Sequence, residues 1–361
     1  EERRFVSLDD AYHGDTLGAV SVGYLEGFHK PFRSSLFPVF RAESPHCAAC
    51  IHGRKPVSCA LECFESMKRV FGKHRGELAA VVIEPLCQGA AGMRMHPPKY
   101  LRRLAALCKR HGVLLIADEI AVGMGRTGRM FAFQHAGIDP DIVCIGKGLS
   151  GGYLPISATV VKGAIFDTFA DKPADRTFYH GHTFAGNPIA CAAALETLTI
   201  YGEKQIVKRA ADMGRVLAKE LRTLAGLPGI AGIRSLGMIG AFETDDATLI
   251  RDRLRERHGI LLRPLGRTLY LMLPLTVSAG LIRRTIRAIA EEVRRTVDGL
   301  PCEALAKQGG RWAGDGWSGY AEQLTPRRAW RSPRGRNQRA AHSGTGPDDR
   351  PPAPSRASGG R

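Results

Sequence analysis

In this 361-residue chain, two charged residues stand directly after short apolar runs. Asp118 follows Val113 to Ala117, and Lys147 follows Ile142 to Ile145 across a single glycine. Pyridoxal 5'-phosphate (PLP) chemistry needs a lysine to form a Schiff base and a carboxylate to keep the pyridine nitrogen protonated. Asp118 and Lys147 suit those two roles; a salt bridge on the rim of a sheet is the plainer alternative. A second set is Cys47-x2-Cys50-x8-Cys59-x3-Cys63 with His46 alongside. That spacing could hold a tetrahedral zinc ion, or it could be a loop of reduced thiols. No metal is assigned to the reaction itself. Cys87, Cys108, Cys144, Cys191 and Cys302 are spaced like core residues and lack the His or Asp context of a nucleophile. His111 and His135 read as packing or surface residues.

The elements that must position these residues follow an α/β pattern of apolar run, turn and amphipathic stretch. Leu78 to Ile83 reads as a strand ending at Glu84-Pro85. Tyr100 to His111 reads as a helix with Gly112 as its C-cap. Val113 to Ala117 is then a fully buried strand, and Ile142 to Ile145 repeats the pattern. Ligands in open α/β sheets sit at the carboxyl ends of the strands, which puts Asp118 and Lys147 on one rim. Pro188 to Tyr201 reads as a connecting helix. Beyond it, helices over Val207 to Leu224 and Ala279 to Val297 alternate with strands over Gly237 to Glu243 and Thr268 to Leu273. The expected architecture is α/β, a mostly parallel central sheet with helices on both faces plus a smaller C-terminal α/β domain. Its expected boundaries are 1–201, 202–299, and a basic tail over 300–361.

A hydrophobic content of 44% is ordinary for a chain that buries a core. No apolar run approaches the roughly 18 to 20 residues of a membrane span, so no membrane association is expected. Nine cysteines in segments that read as buried fit reduced thiols and a cytoplasmic location. The net charge of +17 is uneven: residues 300–361 carry 11 Lys/Arg against 5 Asp/Glu and all three Trp, in a stretch without helical or strand periodicity. A basic tail with Trp could stack on nucleic acid, but it contains no recognisable module, and no nucleic-acid partner is assigned.

The segment Asp118-Glu119-Ile120-Ala121-Val122-Gly123-Met124-Gly125-Arg126-Thr127-Gly128 closely resembles the signature of class III aminotransferases, as do Asp139-Pro140-Asp141-Ile142 and Gly146-Lys147-Gly148. Tyr12-His13-Gly14-Asp15-Thr16 and Gly181-His182-Thr183-Phe184-Ala185-Gly186-Asn187-Pro188 match in the same order. The resemblance spans about residues 5 to 298. It implies the type I PLP fold, PLP as cofactor, and a homodimer with active sites at the subunit interface. It makes Lys147 the Schiff-base lysine, Asp118 the pyridinium partner, Tyr12 the aromatic stacked on the cofactor ring and Glu84 a carboxylate beside it. Thr183, presented with His182 by the Gly181 to Asn187 loop, resembles the hydroxyl that reaches the phosphate of the neighbouring subunit's cofactor. Arg126 is placed on the substrate side of the site or against a nearby carboxylate.

Within the family, Leu262-Arg263-Pro264-Leu265-Gly266-Arg267-Thr268-Leu269-Tyr270-Leu271-Met272 resembles the adenosylmethionine-8-amino-7-oxononanoate aminotransferases of biotin synthesis. Gln88-Gly89-Ala90-Ala91-Gly92-Met93 and Gly151-Gly152-Tyr153-Leu154-Pro155 point the same way. The resemblance implies that Arg263 binds the keto acid carboxylate, with Tyr270 and Gly181 near the substrate. The implied reaction is ping-pong, with small-molecule keto acid and amine substrates and S-adenosylmethionine or lysine as donor. Lys147 moves the proton in both halves. Family members carry a Gly-Ser phosphate-binding turn some thirty residues before the Tyr-His-Gly block, whereas only 11 residues precede Tyr12 here. The sequence therefore reads as truncated at its front, and an inactive relative is one alternative. Ornithine, acetylornithine and 4-aminobutyrate aminotransferases and glutamate-semialdehyde aminomutases are the others.

Overall fold

The computed structural model describes residues 3–55, 57–170 and 177–298. The basic tail and Cys302 lie outside the described residues.

Short aliphatic runs become strands because their side chains fill both faces of a pleated surface. In chain order the strands are β1 (Arg4–Leu8), β2 (Phe40–Ala42), β3 (Leu78–Ile83), β4 (Cys87–Gln88), β5 (Arg94–Met95), β6 (Leu114–Asp118), β7 (Ile142–Ile145), β8 (Ala158–Val161), β9 (Ala231–Leu236), β10 (Ile239–Glu243), β11 (Pro264–Leu265) and β12 (Thr268–Met272). The helices are α1 (Leu17–Val22), α2 (Glu26–His29), α3 (Phe64–Lys73), α4 (Pro98–His111), α5 (Gly163–Phe166), α6 (Pro188–Glu203), α7 (Ile206–Leu221), α8 (Ala247–His258) and α9 (Ala279–Asp298).

The central sheet runs β2-β1-β3-β6-β7-β8, with every neighbour parallel except the antiparallel β7–β8 pair. This is the mostly parallel sheet expected. One detail differs: β6 is not fully buried, because Leu114, its first residue, is 38% exposed on the rim away from the strand ends. The α4 helix starts on a proline, whose missing N–H costs nothing there, and stops at Gly112 in the left-handed conformation. Its Tyr100, Leu101, Leu104 and Leu107 pack with Phe64, Met67 and Phe71 of α3 and with Val81 and Ile83 of β3. Each such side chain contributes about 1.5–3 kcal/mol by leaving water.

The smaller C-terminal domain is an antiparallel sheet, β11-β12-β10-β9. A core of Leu217, Leu221, Phe242, Leu254, Leu269, Ile286 and Ile289 fills the space between it and α7, α8 and α9. The α7 helix approaches the β9–β10 turn so closely that a Cβ on Gly214 would lie 2.8 Å from Gly237. Gly237 itself, at φ +54°, leaves no room for a side chain against Thr127.

Candidate active site

Four adjacent parallel strands, β1, β3, β6 and β7, deliver chemistry at or just beyond their carboxyl ends. Glu84 follows β3, Asp118 ends β6, Lys147 follows β7, and the chain leaving β1 turns through Asp10 to bring in Tyr12 and His13. The pairing of Asp118 with Cys144 on β7 puts Lys147 only three residues beyond Asp118's neighbour.

Lys147 opens a one-turn 3-10 helix that ends at Gly151. Its φ is +44°, a left-handed backbone that costs a lysine roughly 1–2 kcal/mol. Leu149 and Ile145 anchor the turn in a small cluster with Met124 and with Ala194 of α6. The lysine itself is exposed, and its ammonium has no ion pair among the described residues. A strained backbone held by packing on both sides, presenting an uncommitted amine, is a built feature.

Asp118 is clamped. Its Oδ1 accepts the Ile120 N–H at 3.1 Å, and its Oδ2 lies 2.7 Å from His13 Nδ1. The His13 side chain is buried, and its Nε2 has no partner among the described residues. Glu84 accepts the Tyr12 N–H at 3.2 Å and the Gly89 N–H at 2.9 Å. Burial pushes its carboxyl up to about 7, against the opposing pull of His13 and the Gly89 N–H. Glu119, beside Asp118, turns the other way and accepts the Ala132 and Phe133 N–H groups at 2.8 Å each. Burial raises it also to about 7.

The Tyr12 ring stacks on His29, centroids 5.9 Å apart and planes 14° off parallel. Burial and the neighbouring Asp15 carboxylate push its phenol up to about 12, while the positive charge of Arg263 pulls the other way. Arg263, exposed just before β11, is thus near enough for its charge to reach Tyr12. Tyr270, on β12, is half-buried beside Leu86, Met93 and Leu265.

Other residues singled out from the sequence stand apart. Gly181, His182 and Thr183 lie in an exposed stretch before α6, where Asn187 caps the helix through the Ile189 and Ala190 N–H groups. The His182 and Thr183 side chains make no hydrogen bond among the described residues. Arg126 has no carboxylate partner among the described residues: its guanidinium donates to the Leu273 carbonyl, and its own carbonyl accepts the Met238 N–H at 2.8 Å. Arg126 therefore ties the turn after β6 to the C-terminal domain. Arg234, not anticipated, does the same from β9, donating to Met93 and Gly92 carbonyls at 2.8 and 2.6 Å. The signal for His13 was present in the Tyr-His-Gly block; a single Arg in a strand offered none for Arg234. Cys87 and Cys108 are buried as expected, whereas Cys144 and Cys191 are only partly so.

The sequence profile of the family described as aminotransferase class-III matches residues 1–293. The chain belongs to this family. The adenosylmethionine-8-amino-7-oxononanoate aminotransferase of Geobacter sulfurreducens is 40% identical over 320 residues, covering 83% of this chain and 67% of that protein. The enzyme of the same description from Nitratidesulfovibrio vulgaris is 42% identical over 289 residues, covering 76% and 53%. The chain thus spans between about half and two thirds of the length of these relatives. Among solved structures, the corresponding aminotransferase of Methanocaldococcus jannaschii superposes with a TM-score of 0.75 at 32% identity, covering 81% of this chain and 68% of that one. A PLP-bound amine transaminase from an uncultivated Pseudomonas species gives 0.75 at 31%, covering 81% and 70%. The superposed architecture is the type I PLP transferase fold. Family membership implies PLP. The residues present fit it: an exposed lysine and a clamped aspartate at neighbouring strand ends, with the unpartnered His13 Nε2 buried behind the aspartate.

Proposed function

We propose that this chain transfers an amino group to 8-amino-7-oxononanoate, giving 7,8-diaminononanoate, with S-adenosylmethionine as donor. The feature that bears on the choice is Arg263, exposed just before β11, whose positive charge pulls on the Tyr12 phenol. A guanidinium there supplies a forked partner for the carboxylate at the far end of a long keto acid. The 40% and 42% identities to enzymes of that description support the same choice.

Lys147, Asp118, Tyr12 and Glu84 would hold PLP, which when bound supplies a ring that draws electrons from the carbon losing its proton. Lys147 carries the proton between substrate and cofactor carbons in each half-reaction, a task for an amine without a competing ion pair. Asp118, fixed by His13 and the Ile120 N–H, presents a carboxylate to a cationic nitrogen. Tyr12 offers an aromatic face whose orientation is set by its stack on His29. Glu84 holds the Tyr12 backbone in place, and burial raises its pKa toward neutrality.

The active assembly is a homodimer in the cytoplasm. Phe178, Tyr179, Phe184, Ile189 and Leu195 are all exposed around the Thr183 loop and α6. An apolar surface of that extent suits a second copy, which would bring Thr183 to the partner's cofactor. The chain's domain limits are 1–201 and 202–299.

The test is a donor and acceptor panel on PLP-loaded protein. Diamine formation with S-adenosylmethionine, and a raised KM for the keto acid in Arg263→Ala at unchanged PLP content, are expected. Turnover with lysine alone would reassign the donor. Turnover only with ornithine, acetylornithine or 4-aminobutyrate would replace the substrate assignment, and no turnover at all would mark an inactive relative.

A further inference from the structure

Between β2 and α3 the chain runs through residues 43–63 with no strand or helix among its described residues. A loop of that length within a folded domain needs something to hold it. Apolar burial does little of this: Ile51 and Val57 are exposed, and Pro45 and Leu61 are the buried apolar side chains among the described residues. What the loop does is bring four cysteines around one cleft. Cys47, Cys50, Cys59 and Cys63 all line it, and all are free thiols.

We propose that this cleft is a structural zinc site, with Cys47, Cys50, Cys59 and Cys63 as its four thiolate ligands, and that the metal pins the loop between β2 and α3. The donor set favours this cation. Four sulfurs select zinc over oxygen-seeking magnesium or calcium, and a four-sulfur zinc site is closed and structural. The backbone is shaped for it. Leu61 N–H donates to Cys59 Sγ at 3.4 Å, and Leu61 takes a left-handed φ of +68°. That reversal returns the chain so that Cys63, at the N-cap of α3, faces the same cleft. N–H donation to a ligand sulfur is the support that thiolate sites use to spread their charge.

Charge balance points the same way. Four thiolates on one dication carry an excess of two negative charges. Lys99 Nζ donates to the Cys59 carbonyl at 2.5 Å, and its charge reaches Cys47. The positive end of α3 lies at Cys63. Binding would convert four thiols and Zn²⁺ into the zinc tetrathiolate with release of four protons. Of the other groups lining the cleft, His52 and Glu43 are committed to each other at 2.7 Å, and His46 keeps a buried Nε2 without a partner among the described residues.

The sulfurs ring the cleft without yet closing on its centre. Among the described residues only His258, Glu291 and Glu292 bring three potential ligand atoms within 4.8 Å of one another. There Arg257 and Arg295 already approach Glu292, so that trio is an ion-pair network. At the cysteines, metal binding requires the turn-rich loop to contract.

The test uses the full chain purified without chelator and dialysed, followed by metal analysis. One zinc per chain is expected, and cobalt exchanged into wild-type protein should show the intense visible absorption of tetrahedral thiolate coordination. Cys59→Ser with Cys63→Ser should bring zinc to background, while His258→Ala should keep the full equivalent. The proposal is overturned if zinc-reconstituted wild type retains no metal and all four thiols react freely, if the cobalt spectrum is octahedral, or if protein isolated without oxygen carries these cysteines as disulfides.

Discussion

His13 Nδ1 sits 2.7 Å from Asp118 Oδ2, and this contact joins the segment leaving β1 to the end of β6. Asp118 keeps a second bond from the Ile120 N–H when His13 is removed. His13→Ala should therefore leave the fold standing but free one carboxylate oxygen to turn away. A hydrogen bond to a charged group contributes about 1.5–3 kcal/mol, so PLP should bind at least about tenfold more weakly. Fluorescence titration of the apo chain measures this. An unchanged affinity would mean that His13 packs behind the site without orienting Asp118.

Lys147 holds a left-handed backbone at φ +44°, which glycine adopts without strain. Lys147→Gly and Lys147→Ala should both lose the borohydride-stable attachment of PLP. They should differ in stability, with the glycine variant more stable than the alanine variant by about 1 kcal/mol. Paired urea melts of the metal- and cofactor-matched proteins decide it. Equal stabilities would mean that the turn relaxes once the lysine is gone.

The positions of Glu84, Asp118 and Lys147 were legible because each follows an apolar run, and a buried parallel strand ends where such a run ends. The likeness of Tyr12 and Arg263 to family positions added residues that no periodicity marks. Many elements were not anticipated, α8 and β9 among them. The α8 helix carries Arg251, Arg253, Arg255 and Arg257 within about two turns, and only Ala247, Ile250 and Leu254 mark its buried face. The β9 strand is interrupted by Gly232, Arg234 and Ser235, so it shows no clean alternation. Arg126 illustrates a further limit. Its partner is a backbone carbonyl 147 residues away, and every residue type offers one, so no side-chain pattern announces the contact.

Arg234 is buried with its guanidinium spread over the Gly92, Met93 and Gly232 carbonyls and Glu243. It clamps the turn between β4 and β5 onto the C-terminal sheet. Arg234→Ala strands three carbonyls and a carboxylate, and should cost about 3 kcal/mol in a urea melt. Arg234→Lys should recover only part of this, because an ammonium cannot reproduce the fork. Full rescue by lysine would show that charge alone is needed there.

Glu84 and His96 make opposite demands on pH although they are neighbours, His96 Nε2 lying 3.4 Å from the Glu84 carbonyl. Burial raises the Glu84 carboxyl from 4.5 to about 7. Between those values the unfolded chain releases the proton while the folded chain keeps it, so stability falls as pH rises. Burial lowers His96 from 6.5 to about 4. Between those values the unfolded chain takes up a proton that the folded chain refuses, so stability falls as pH drops. Each effect is worth about 3 kcal/mol over its window, and from about pH 4.5 to 6.5 the two largely cancel. Glu84→Gln should unmask the histidine, giving a cofactor-free chain whose stability rises by about 2 kcal/mol from pH 4.5 to 6.5 relative to wild type. His96→Phe should tilt the profile the other way. Parallel profiles for wild type and both variants would mean that neither group is held in its neutral form by the fold.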